Sequence, residues 1–167
     1  MKSTGVVRKI DELGRLVIPK EIRKNLNIRS GEDLEFFIEE DKIILKKYQK
    51  MLSVKENAQK YIDAMSKITT NNINITDKET IIASSKREDL NQKIDSKIIE
   101  LMNERKDEQG KTIKIGTKII DEYYYIIPII IDADAVGTII IRKNKEINEE
   151  DKIMAKFLNT FIKELIY

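Results

Sequence analysis

Apolar positions in the first third of the chain fall in short alternating runs between polar turns. Residues 4–10 alternate weakly and predict a strand. A turn follows at Asp11-Glu12-Leu13-Gly14, where glycine accepts a positive φ without a Cβ penalty. Leu16-Val17-Ile18 predicts a short buried strand. Pro19 suits the first helical position, where a missing N–H costs nothing, and the helix is expected over residues 19–26 with Ile22 and Leu26 on one face. Leu34, Phe36 and Ile38 then alternate with Glu35, Phe37 and Glu39. Glu40-Asp41 turns the chain into Ile43-Ile44-Leu45, which makes a hairpin ending near Tyr48.

The period then changes to that of a helix. Val54, Ala58, Ile62 and Met65 recur at three-to-four spacing and predict a helix over residues 53–68, with its apolar stripe used for core or dimer packing. Beyond it, "INIT" and "TIIASS" flank Asp77-Lys78-Glu79 as a second hairpin. Residues 90–106 carry helical segments with Ile94, Ile98, Leu101 and Met102 apolar. "TIKIG", "YYYIIPIII" and "AVGTIIIRK" read as three strands, the last two joined through Asp132-Ala133-Asp134. The tyrosines Tyr123 to Tyr125 alternate faces on their strand, so at least one ring is expected in the core. Asn148 caps a last helix whose apolar positions are Ile153, Phe157, Phe161 and Leu165. The expected fold class is α+β, with helices packed on an antiparallel sheet in the second half.

Size changes this picture. A module of about 50 residues with neither disulfide nor metal is marginal as a lone core. Its apolar strands are therefore expected to be completed by a second copy, with intertwined strands.

Composition then narrows the chemistry. The 167 residues contain no Cys and no His. Disulfides, a Cys/His zinc site, a Cys nucleophile and a Ser-His-Asp triad are thereby excluded. No enzyme activity, cofactor or metal is expected. No apolar run approaches the ~18 residues of a membrane span. The N-terminus lacks the apolar stretch of a secretory signal, so a cytoplasmic protein without membrane contact is expected. The net charge of +2 is uneven: residues 1–31 hold eight cations against three acids, a balance of +5, which leaves −3 on the rest. A basic end on a near-neutral body points to a local polyanion contact. Arg8, Lys9 and Arg15 flank one turn, and Lys20, Arg23 and Lys24 lie on the next helix. They are the candidate nucleic-acid contacts, phosphates for all and guanine edges for the arginines. No aromatic residue interleaves the basic stretch before Phe36, which favours a duplex over a single strand.

Two other features carry less. Ser84, Ser85, Lys86 and Arg87 form a polar loop, a candidate contact for an anionic small molecule or simply a loop that caps a helix. "GKT" at Gly110 to Thr112 lacks the glycine a phosphate loop needs five residues earlier, where Arg105 stands. Glu149, Glu150 and Asp151 suit a helix N-terminus better than a metal.

The stretch "STGVVRKIDELGRLVIPKEIRKNLNIRSGEDLEFFIEEDKIILKKY" resembles the DNA-binding domain of the AbrB family of bacterial transition-state regulators. The resemblance implies a swapped-hairpin β dimer over residues 1–50, with Leu16, Val17 and Ile18 in the shared dimer core. It further implies that Arg8, Arg15 and Arg23, helped by Lys9, Lys20 and Lys24, face double-stranded, AT-rich promoter DNA. Where relatives often carry arginine, Lys24 keeps the charge and loses the planar fork. The later stretch "IIASSKREDLNQKIDSKIIELMNERK" is similar in layout to sporulation members of the same family. That likeness implies a connecting helix over residues 51–71 and a GAF-like domain over residues 72–167, which forms a homotetramer and is a place for an unidentified small-molecule signal. The implied function is transcription regulation of late sporulation genes. The alternative is an antitoxin, since related swapped-hairpin domains occur there. Such antitoxins usually end in a short disordered tail, whereas here the C-terminal half is long and patterned.

Overall fold

The computed structural model describes residues 4–48, 51 and 54–166, and the chain divides into two compact units, Met1–Tyr48 and Gln49–Tyr167. Lys50, where the first module was expected to end, and Ser53, the expected start of the connecting helix, lie outside the described residues.

Unit 1 holds a short helix α1 (Lys20–Asn25) and two strands, β1 (Leu34–Glu39) and β2 (Lys42–Lys47). Pro19 sits just outside α1 with φ −58° and ψ 147°, extended as a residue at the mouth of a helix should be. The far end closes on Asn27, in the left-handed region at φ 51°. There the Ile28 N–H donates to Arg23 O at 2.7 Å and the Asn27 N–H to Lys24 O at 3.1 Å, so a Schellman motif satisfies two carbonyls that the helix leaves over. β1 and β2 pair antiparallel from Leu34↔Lys47 to Glu39↔Lys42, with Glu40 at φ 53° in the turn. Leu34, Phe36 and Ile38 share one face of this ribbon with Ile43 and Leu45.

None of the described residues of unit 1 is buried. That corrects two expectations. Residues 4–10 form no strand, and Leu16-Val17-Ile18 is neither a strand nor buried: Leu16 is 51% and Val17 72% exposed, with Ile18 half-buried. A strand needs a neighbour for its N–H and C=O groups, and within one chain this segment pairs with none. Phe36, Ile38 and Ile43 are exposed as well. Each such side chain left in water forgoes about 1.5–3 kcal/mol of burial.

Unit 2 contains helices α2 (Lys55–Met65), α3 (Ser96–Glu104) and α4 (Glu149–Glu164), and a sheet of β3 (Asn72–Thr76), β4 (Ile81–Ser84), β5 (Glu108–Ile115), β6 (Lys118–Ile131) and β7 (Asp134–Lys143). The strand order is β4-β3-β7-β6-β5, every pair antiparallel. Alternation along the strands divides the core in two. Ile73, Ile75, Tyr125, Ile129, Ile139 and Ile141 meet Ala58 and Ile62 of α2 and Ala155, Leu158 and Ile162 of α4. Tyr124, Ile126 and Ile140, on the opposite face, meet Ile98, Leu101 and Met102 of α3. Both Tyr124 and Tyr125 are buried, one on each side. Gly110 sits opposite Tyr124, and a Cβ there would stand 2.6 Å from the phenol oxygen, so glycine is required by the close approach within a strand and not by a phosphate loop.

Two helices differ from their expected form. α2 is shorter than predicted, although Val54, Ala58 and Ile62 do face the core. In α4, Asn148 caps as expected: its side chain accepts from Asp151 N at 3.0 Å while Asp151 accepts from Asn148 N at 2.8 Å, a capping box. The apolar stripe is misplaced, however. The buried face is Asp151, Ala155, Leu158, Asn159 and Ile162, whereas Ile153 is 65% and Phe157 63% exposed. Small Ala155 lets α4 lie close on the sheet; of the expected stripe, Ile153 and Phe157 fall on the outer side, while Leu165 packs against the core. Among the described residues no helix is long and apolar enough to cross a membrane.

Candidate nucleic-acid interface

Arg8, Lys9, Arg15, Lys20, Arg23 and Lys24 are all exposed. Two local structures position most of them. The first is the turn at residues 11–15, organised by one carboxylate. Asp11 Oδ1 accepts from Leu13 N at 3.0 Å and Arg15 N at 2.8 Å, and its Oδ2 accepts from Arg15 Nε at 2.7 Å. The Gly14 N–H donates to Asp11 O at 2.9 Å, with Gly14 at φ 76°. Held by Nε, the Arg15 side chain remains 71% exposed and its fork points to solvent. The Arg15 backbone N–H and guanidinium keep the Asp11 carboxyl below its ordinary value. Arg8 is bound more loosely, donating from Nη1 to its neighbour Val7 O at 2.8 Å.

The second structure is α1. Lys20 lies three and four residues before Arg23 and Lys24, so these cations share one side of the helix. Arg23 and Lys24 occupy the last turn, where the helix dipole favours positive charge. Ile22 turns the other way and is half-buried. Asp11 was missed in reading the sequence. Its signal was available, since an aspartate opening an Asp-x-x-Gly turn bonds its own backbone a few residues on.

The polar loop of unit 2 is differently committed. Ser84 is buried and its Oγ accepts from Lys86 N at 3.0 Å, while Ser85 Oγ accepts from Ile73 N at 2.8 Å. Arg87 opens a one-turn 3-10 helix, Arg87–Asp89. A cavity of about 250 Å³ lies elsewhere, between α3, β5 and β6, lined by Ile98, Ile113, Ile119 and Ile126 with Lys97 and Tyr124. At its wall Tyr124 Oη donates to Glu108 Oε1 at 2.6 Å, and Lys97 Nζ lies 2.6 Å from the same oxygen. Among the described residues no group of three or more acidic side chains is placed to hold a metal ion.

Comparison with known proteins divides the chain in the same way. Residues 7–53 match the family described as antidote-toxin recognition MazE, bacterial antitoxin. Residues 53–164 match the family described as stage V sporulation protein T C-terminal, transcription factor. Stage V sporulation protein T of Bacillus subtilis (strain 168) is 37% identical, covering 84% of this chain and 84% of that protein. The transition state regulatory protein AbrB of the same organism is 59% identical over 29% of this chain and 51% of its own length. Among solved structures, the cofactor binding GAF domain of the nutrient sensor CodY from Clostridium difficile aligns with a TM-score of 0.50 at 12% identity, covering 65% of this chain and 83% of that one. The last likeness is one of fold: unit 2 is GAF-like.

Proposed function

The chain belongs to the stage V sporulation protein T family of transcription factors, and from that premise we propose that it binds double-stranded promoter DNA through unit 1 and regulates genes late in sporulation. The carrying observation is that all six candidate cations are exposed, in a unit that buries none of its described residues. Pairing two copies through residues 1–50 buries Leu16, Val17 and Ile18 and doubles the cation set on one body. Phosphate contacts then supply affinity, while arginine forks and the shape of AT-rich DNA set preference. Unit 2 carries assembly. Its exposed stripe of Ile153 and Phe157, continued by the edge-on pair Tyr61–Phe161 with ring centroids 4.4 Å apart, is the face through which dimers join into a tetramer. A small-molecule signal belongs to the same proposal, in the cavity beside α3, since Ser84 and Ser85 already serve the chain's own backbone. A protein of this kind acts in the cytoplasm, on the nucleoid.

The test is fluorescence anisotropy with an AT-rich duplex over a salt series. Affinity falls steeply with salt, with a slope near −0.9 per phosphate neutralised. Arg15→Ala costs roughly 1–3 kcal/mol of binding and leaves assembly intact; unchanged affinity in a folded variant removes Arg15 from the interface. The match of residues 7–53 to an antitoxin family favours a second reading, a toxin-neutralising partner. Limited proteolysis separates the two: a resistant fragment of residues 51–167 supports the regulator, and rapid digestion of that half supports the antitoxin.

A further inference from the structure

Arg15 differs from the other candidate cations of unit 1 in having a carboxylate bound to it. Asp11 Oδ2 accepts from Arg15 Nε at 2.7 Å, while Asp11 Oδ1 accepts from Leu13 N and Arg15 N at 3.0 and 2.8 Å. Among the described residues, no ion pair holds Arg8, Lys9, Lys20, Arg23 or Lys24. An acid thus stands inside a basic surface, against one arginine. It is held firmly there, because the same carboxylate is anchored by two backbone N–H groups of its own turn, which the Gly14 N–H closes on Asp11 O at 2.9 Å.

That placement has opposite consequences for the two groups an arginine can grip on a duplex. A phosphate is an anion. A carboxylate on the same guanidinium offsets the charge that attracts the phosphate, and repels it in turn. A guanine edge is neutral, and it needs two N–H donors held in one plane against O6 and N7. Asp11 takes only the Nε proton, so the Nη1 and Nη2 donors remain for such an edge, on a side chain that is 71% exposed. The carboxylate also restricts the rotamers of a long, flexible side chain, so less freedom is lost when the fork meets a base. The pairing therefore disfavours a phosphate contact and favours a base contact.

We propose that Asp11 is a positioning residue for sequence reading: it holds Arg15 by Nε so that the Nη fork contacts a guanine edge in the major groove. The cations without a carboxylate partner take the phosphates. The inference rests on the DNA binding proposed above, and adds which side chain discriminates between sequences and what sets it.

The test uses the full chain and the duplex it selects from a randomised pool. Each guanine is replaced in turn by deazaguanine, which carries C–H in place of the N7 acceptor. Anisotropy shows the wild-type chain losing about tenfold in affinity at one or more of those positions. Arg15→Ala binds the parent duplex more weakly and no longer responds to deazaguanine there. Asp11→Asn behaves in the same way, although its Oδ1 still accepts the backbone N–H groups of the turn, because its Nδ2 cannot accept from Arg15 Nε. Its affinity for an unrelated duplex is unchanged or higher, since an acid has left a phosphate-facing surface. Combining the two substitutions costs no more discrimination than Arg15→Ala alone. A deazaguanine response that persists in Asp11→Asn or in Arg15→Ala overturns the proposal, as does a wild-type chain that responds at no guanine. Weakening of Asp11→Asn on every duplex alike means a merely structural role and overturns it too. If Asp11→Asn does not fold, Asp11→Ser decides, since a hydroxyl can serve the turn and does not reach the guanidinium. A folded wild-type chain that binds no duplex at low salt is a separate result, and removes the DNA reading itself.

Discussion

Val17 and Ile141 are both β-branched aliphatic residues, yet Val17 is 72% exposed and Ile141 is fully buried. The contrast runs through the two units. In Met1–Tyr48 no described residue is buried, although Val7, Ile10, Leu13, Phe36 and Ile38 are as apolar as anything in the chain. In Gln49–Tyr167, three helices close both faces of a five-stranded sheet. Surface falls relative to volume as a domain grows, so the larger unit builds its core from one chain and the smaller one does not. The small unit's hydrophobicity is directed outward, at a second copy under the function proposed here. Folding of its strands and assembly of a DNA-facing surface are then one event.

The sharpest way to break this contrast is Val17→Lys. A charge placed where two copies meet abolishes pairing and lowers DNA affinity more than about a hundredfold, while unit 2 keeps its own melting transition. Calorimetry with anisotropy checks both; DNA binding that survives in a chain that still pairs refutes the shared core. Next in size is Ile141→Ala, which opens a cavity in a core closed by α2 and α4 of the same chain. It costs about 2–5 kcal/mol by urea unfolding, with the loss confined to unit 2.

A smaller effect comes from Asp151. Burial alone would raise its pKa, but the Asn148 N–H, Lys143 and Asn71 outweigh burial and hold it below the ordinary carboxylate value. A depressed folded value means that this contribution is complete above about pH 4 and is lost as pH falls through the folded pKa. Asp151→Asn removes roughly 1–2 kcal/mol at neutral pH and flattens the acid limb of the stability curve. An unchanged acid limb would place the pH dependence elsewhere. Smallest in stability is Phe157→Lys, within about 0.5 kcal/mol because the ring is solvent-facing. Its effect is on assembly, with light scattering expected to show dimers in place of tetramers.

Much of this architecture was legible in the chain. Glu40-Asp41 between alternating runs marked the first hairpin, Asn148 marked the start of α4, and the order of helices and strands in unit 2 followed from period alone. The basic residues near the turn and α1 were legible because charge shows directly in composition. Less visible was the role of Asp11, whose three hydrogen bonds set the Arg15 side chain. The stripe of α4 was misjudged because two faces of that helix carry apolar residues, and spacing does not say which meets the sheet.

The sequence by itself determined the local events: where strands alternate, where helices cap and turn, where positive charge gathers, and that catalysis through Cys or His is excluded. These depend on residues a few positions apart, whose geometry the backbone imposes. Only the tertiary structure decided that Ala155 and not Phe157 faces the sheet, that Leu16 and Val17 stay exposed in a single chain, and that Arg142 lies buried between Asp89 and Glu122. Those carboxylates are 53 and 20 residues from the arginine they neutralise. A buried charge is fixed by whatever the fold brings beside it, and neither period nor composition encodes a neighbour at that distance.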